Sequence, residues 1–219
     1  MKRLLLWLSV LAMCALWVGC RGADEAPPAS PEPTEQAPER VPPLISLGDG
    51  PPALVPDFTL TAQTGEPLTL SDLRGGPVIL TFLYTNCRTI CPLYVGLIPS
   101  ALALLGEDQA RVSVVAVTVD PERDTVEQLA RYTEEHGWPE HWYFVTGDPA
   151  SLEAVWDSYR IVAHREELPE DMRVMGMQGY EVVHRAAVLV IDQDGYAVEA
   201  LRNTEWTPEE LAEILREMF

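Results

Sequence analysis

In the stretch TFLYTNCRTICPLY, residues 81–94, Cys87 and Cys91 are separated by three residues, and Pro92 follows the second. Three chemistries are open to such a pair. It can cycle through a disulfide, hold a soft metal ion, or simply pack as two buried thiols. A disulfide here would close a very short loop and remove little chain entropy, so stability alone is a poor reason for it. An apolar run precedes the pair and an apolar-periodic segment follows it. That pattern predicts a strand end leading into a helix N-terminus. Backbone N–H groups and the helix dipole favour anions there, which lowers a thiol pKa, and Arg88 pushes the same way. Thiolate is both the nucleophile and the soft ligand, so this local physics serves redox and metal chemistry alike.

Spacing adds a little. Two residues between the cysteines are usual in thioredoxin-like redox enzymes, whereas this chain has three. On a helix such side chains stand one turn apart on the same face. That bite suits two sulfurs gripping one ion, with room for one or two further ligands. Copper accepts thiolate and imidazole in low coordination. The chain has four histidines. His136 closes an amphipathic helix, His141 precedes a strand, and His164 lies in an acidic stretch that reads as a loop. Each is expected to be solvated or satisfied locally. His184 differs, because it opens the apolar run RAAVLVID and no proline occurs between Glu170 and Thr207. Thioredoxins usually carry a proline in the loop entering this strand, close to the cysteine pair. His184 is therefore the imidazole best placed to face the thiols.

Two further groups invite a role. Asp120 ends an apolar run in VTVDPERDT and is expected near the cysteine turn. It serves either as a carboxylate supporting the site or, with Pro121, as a shaper of the turn, with Asp124 capping the next helix. Met172, Met175 and Met177 are half of the chain's six methionines. Thioethers bind Cu(I), so this segment reads either as a mobile loop that passes the ion on or as adaptable packing. No serine nucleophile pattern, phosphate loop or zinc motif occurs.

The elements that must position these residues follow from local pattern. Residues 56–73 alternate apolar and polar around Thr64 and Gly65, which predicts a hairpin. The run 77–85 suits a buried central strand, and 111–120 a second one. A helix follows Pro92, with Pro99 expected to bend it. Residues 125–137 form an amphipathic helix, HWYFVTG a short strand, and DPASLEAVWDSYRI a helix with Asp148 as N-cap. Residues 180–192, the turn QDG and YAVEALR form a hairpin. The final helix carries a capping box, Thr207 and Glu210, with Pro208 at its first position. Strands alternating with helices imply a mainly parallel central sheet flanked by helices, with an N-terminal hairpin. The closing hairpin and helix are the thioredoxin-like pattern.

Charge and ends bound the setting. The formal net charge is −19, from 34 acidic and 15 basic residues, which argues against nucleic acid. Lys2 and Arg3 precede an apolar stretch too short for a confident membrane span, ending at LWVGC. Residues 1–19 therefore read as a lipoprotein signal, with Cys20 the lipidated residue or, alternatively, the whole segment an uncleaved anchor. Residues 20–49 are rich in proline, alanine and glutamate and read as a disordered tether. Residues 50–219 are the folded domain, expected as a monomer on the extracytoplasmic face of a bacterial membrane.

From about residue 54 the chain resembles the Sco/SenC family of copper-binding, thioredoxin-like proteins. The matching stretches are FLYTNCRTICP, VTVDPERDT, FVTGDP and YEVVHRAAVLVIDQDG, in the family's order and spacing. The resemblance implies copper, as Cu(I) or Cu(II), held by Cys87, Cys91 and His184. It also implies a role in assembling the copper site of cytochrome c oxidase, with the copper-site subunit and a further copper chaperone as partners. Arg88 stands where the family commonly has proline, and Val183 and Arg185 flank His184 where Asp and a hydroxyl residue are common. A membrane-tethered metallochaperone is the leading expectation. A thiol–disulfide reductase, with Cys87 attacking and Cys91 resolving, and a copper or redox sensing module are the alternatives.

Overall fold

The computed structural model describes residues 53–88, 90–168, 179–185, 187–202 and 205–219. The signal, Cys20, the tether and the three methionines 172, 175 and 177 lie outside the described residues. A short strand β1 (Ala53–Leu54) leads to the hairpin β2 (Thr59–Ala62) and β3 (Pro67–Thr69), joined through Thr64 and Gly65 as the alternation predicts. Gly65 has φ +86°, a left-handed turn conformation that favours glycine. Then come β4 (Val78–Leu83), α1 (Cys91–Ala103), β5 (Ser113–Thr118), α2 (Val126–Glu135), β6 (Trp142–Thr146) and α3 (Pro149–Ser158). The chain ends with β7 (Ala163–Glu167), β8 (Tyr180–His184), β9 (Ala187–Ile191), β10 (Tyr196–Arg202) and α4 (Pro208–Arg216).

Eight strands form one sheet in the order β1-β10-β9-β4-β5-β6-β2-β3. Its centre, β4–β5–β6, is parallel, while β9, β10 and β1 on one side and β2 and β3 on the other pair antiparallel. The expected parallel character thus holds at the centre only, because hairpins extend both edges. Every residue of β4 is buried, so successive side chains that point to opposite faces both meet protein. Thr81 is buried within it but donates its hydroxyl to the Ala187 carbonyl at 2.9 Å. Two helices start where the caps predict. Asp148 accepts from the Ser151 N–H at the start of α3, and Thr207 and Glu210 close a reciprocal capping box on α4. The helix α1 runs through Pro99 to Ala103 and packs against α4, while α2 packs on β6.

Three expectations are corrected. Residues 180–192 are not one strand. β8 ends at His184 and β9 begins at Ala187, and β8 pairs with β7 in a separate two-stranded sheet. His164, read as a loop residue, lies in β7 opposite Val183. The polar, exposed face of AHREE gives no apolar signal, so only its pairing with β8 makes it a strand. Asp124 does not cap α2. Thr125 does, accepting from the Gln128 N–H at 3.3 Å, and Asp124 turns inward.

Candidate metal centre

The parallel strands β4 and β5 end on the same side, and their following loops carry the site. After β4 the chain turns, with the Cys87 N–H donating to the Tyr84 carbonyl at 3.2 Å, and α1 begins at Cys91. The first N–H groups of a helix lack intrahelical acceptors. Here the Cys91 N–H donates to Cys87 Sγ at 3.4 Å, so one sulfur caps the helix that carries the other. Both cysteines are buried thiols outside any disulfide, Cys87 at 9% exposure and Cys91 at 1%.

The structure reverses one expectation for Cys91. Its thiol pKa is pushed up, first by its hydrogen bond with Cys87, then by burial and by charge on Cys87. The helix-end field contributes only about 0.3–1 kcal/mol near a surface, and the Cys87 hydrogen bond together with burial outweighs it. Tyr84 lies against the pair. Its phenol pKa is raised above the tyrosine range, first by burial, with Cys87 adding both charge and a hydrogen bond. The same hydroxyl accepts the Val182 N–H of β8 at 3.4 Å.

His184 ends β8, half-buried, with its ring edge-on to Tyr84 at a centroid distance of 5.8 Å. Its Nδ1 lies 3.2 Å from the Arg185 carbonyl, while Nε2 is buried with no hydrogen-bond partner among the described residues. An unpartnered buried nitrogen is costly and calls for an explanation. Tyr84 therefore joins the two sulfurs to the imidazole. Among the described residues, however, no group of three His, Cys, Asp or Glu side chains stands close enough to hold one ion. Two sulfurs adjoin, and the imidazole waits one aromatic ring away.

The remaining sequence candidates separate. His136 stacks on Tyr132 at 4.0 Å and bonds its carbonyl, and His164 pairs with Glu166 on the surface. Asp120 is buried, but its carboxylate takes Tyr180 Oη at 2.7 Å and Arg123 Nε. It joins the turn to β8. The carboxylate that holds the cysteine loop is Asp124. It is fully buried and accepts Thr85 Oγ1 and Thr118 Oγ1 at 2.6 Å each, and the Thr85 N–H at 3.2 Å. Burial raises its pKa, against the lowering effect of those donors. Sequence reasoning missed this role and those of Tyr84 and Arg123. The one available signal was that Asp124 shares the DPERDT turn with Asp120.

Comparison with known proteins agrees with the fold. The chain matches the SCO1/SenC family over residues 48–219. It is 28% identical over 138 residues to an SCO2-like protein of Rickettsia typhi, an alignment covering 63% of this chain and 64% of that one. The chain thus spans just under two thirds of that relative. Among solved structures, Bradyrhizobium japonicum ScoI with copper bound is similar at TM-score 0.64 and 32% identity, covering 76% of this chain and all of that one. An SCO1/SenC family lipoprotein from Bacillus anthracis is similar at TM-score 0.59 and 27% identity, covering 75% of this chain and 92% of that one.

Proposed function

This chain belongs to the SCO1/SenC family, and from that premise we propose that it is a copper chaperone. Cys87, Cys91 and His184 bind copper as cargo for the copper site of cytochrome c oxidase. One observation carries the reading. Two adjoining thiols share Tyr84 with an imidazole whose Nε2 is buried without a hydrogen-bond partner among the described residues. Soft thiolates and a neutral imidazole are a donor set that suits copper, and a structural neighbour of the chain holds copper. The three donors do not yet converge, so loading brings His184 in past Tyr84. The described residues contain no helix long and apolar enough to cross a membrane. Attachment is assigned to residues 1–19 as a signal and Cys20 as a lipidated residue. Residues 20–49 are the tether, and 50–219 the working domain on the extracytoplasmic face. The Bacillus anthracis lipoprotein supports that placement.

A second reading rests on the thiols themselves. They are hydrogen-bonded to each other, and Cys87 is the more exposed. As a reductase, Cys87 thiolate attacks a partner disulfide and releases one partner thiolate. Cys91 thiolate then attacks the mixed disulfide and releases the second, leaving Cys87–Cys91 oxidised for an external thiol to reduce.

The test is an anaerobic titration of the full reduced chain with Cu(I), then Cu(II), following thiolate-to-copper charge transfer, with His184→Ala alongside. One-to-one binding that weakens about tenfold or more in the variant supports the three-donor site. Binding indifferent to His184→Ala refutes it. Thiol exchange that survives the same substitution then favours the reductase.

A further inference from the structure

The hairpin β7–β8 carries His184 but pairs with no strand of the eight-stranded sheet. Besides its chain link to β9, side chains and the Val182 N–H hold it to the core. Arg123, in the turn after β5, makes the densest of these links. Its Nη1 donates to the Tyr180 carbonyl at 2.9 Å, its guanidinium lies 3.9 Å from the centre of the Tyr180 ring, and Nε bonds the Asp120 carboxylate. Tyr180 Oη donates to the same carboxylate at 2.7 Å, closing a ring of contacts. The guanidinium also lies 5.8 Å from the centre of the Tyr84 ring, on the cysteine side. Arg165 of β7 joins from the hairpin, 4.5 Å over Tyr180 and bonded to Glu122 at 2.6 Å. The chain enters β8 at Gly179, with φ +100°, where a Cβ would stand 3.8 Å from Arg123 Nη1.

We propose that Arg123 is a positioning residue that clamps the His184-bearing hairpin against the cysteine turn. A planar guanidinium can stack on an aromatic ring and donate along two edges at once, and an ammonium cannot. Tyr180 and His184 are the two ends of one short strand, so fixing the first limits where the second can point. The consequence for copper rests on the reading that His184 completes the site, while the clamp itself does not.

The test uses the full chain in two arms. The first is amide hydrogen exchange of the metal-free protein. Arg123→Lys keeps a cation beside buried Asp120, so the fold is retained, and Arg123→Met is the harsher variant. Exchange at 180–184 is expected to rise about tenfold in Arg123→Lys, the size of one lost charge-assisted bond. Exchange in β4 and β5 should stay unchanged. Unchanged exchange in the hairpin overturns the clamp, whatever copper does. Equal acceleration in β4 and β5 also overturns it, since that reports loss of global stability. The second arm is a double-mutant cycle of Arg123→Lys with His184→Ala, read by copper affinity. Coupling between them supports the clamp's role in the site, and strict additivity overturns that role. If His184→Ala alone leaves copper affinity unchanged, the copper-site reading fails and the exchange arm still decides the clamp.

Discussion

Replacing Asp124 separates its two opposed effects. The carboxylate is fully buried and takes two hydroxyl donors at 2.6 Å and one backbone N–H at 3.2 Å. Asp124→Ala removes the acceptor for all three, at about 1 kcal/mol net per bond, or about 3 kcal/mol. Each kcal/mol lowers Tm by about 2–4 °C in a domain of this size, so a fall of roughly 6–12 °C is expected. Asp124→Asn behaves differently. Burial is the largest influence on the carboxyl and raises its pKa. A carboxyl whose folded pKa stands above its unfolded value contributes stability that is complete below the unfolded pKa, about 3.9 for aspartate. That contribution is lost as pH rises through the folded value. The neutral amide mimics the protonated acid, so Asp124→Asn should be at least as stable as the wild type at neutral pH. Its advantage should vanish in acid. The assay is urea unfolding followed by tryptophan fluorescence at several pH values between about 3 and 7, spanning the carboxyl range. An asparagine variant as unstable as the alanine one at neutral pH would refute the primacy of burial. A wild-type-to-asparagine difference that ignores pH would refute it too.

Two further outcomes follow from the same geometry. In the reduced chain, a thiol alkylating agent should label Cys87 well before Cys91, since Cys91 is the more buried and its pKa is held up. Time-resolved peptide mass mapping reads this, and equal rates would contradict it. Thr207→Ala breaks the capping box of α4, in which Glu210 N–H bonds Thr207 at 3.2 Å and Thr207 N–H bonds Glu210 at 2.7 Å. It should cost about 1 kcal/mol, visible as a Tm lowered by about 2–4 °C.

Much of the architecture was legible because it depends on near neighbours. Apolar runs marked β4 and β5, alternation marked the β2–β3 hairpin, and Asp148 and Thr207 marked two helix starts. The strand β7 escaped because its AHREE sequence is polar and mostly exposed, and only β8 gives it a partner. The division into β8 and β9 escaped because both are apolar enough to read as one run. The two aspartates of DPERDT were assigned by position, but their roles depend on donors 39 and 60 residues away, at Thr85 and Tyr180.

Type and spacing alone therefore determined that two sulfurs sit at a helix start after a central strand, because strand, turn and helix are local matters of periodicity and backbone geometry. The sequence also singled out His184 among the histidines. Only the tertiary structure decided how these groups behave. The hydrogen bond with Cys87, and then burial in the folded core, raise the Cys91 pKa where the helix end alone would lower it. Likewise, His184 reaches Tyr84 because side-chain contacts dock a two-stranded sheet on the core, and such long-range packing leaves no periodic trace in the chain.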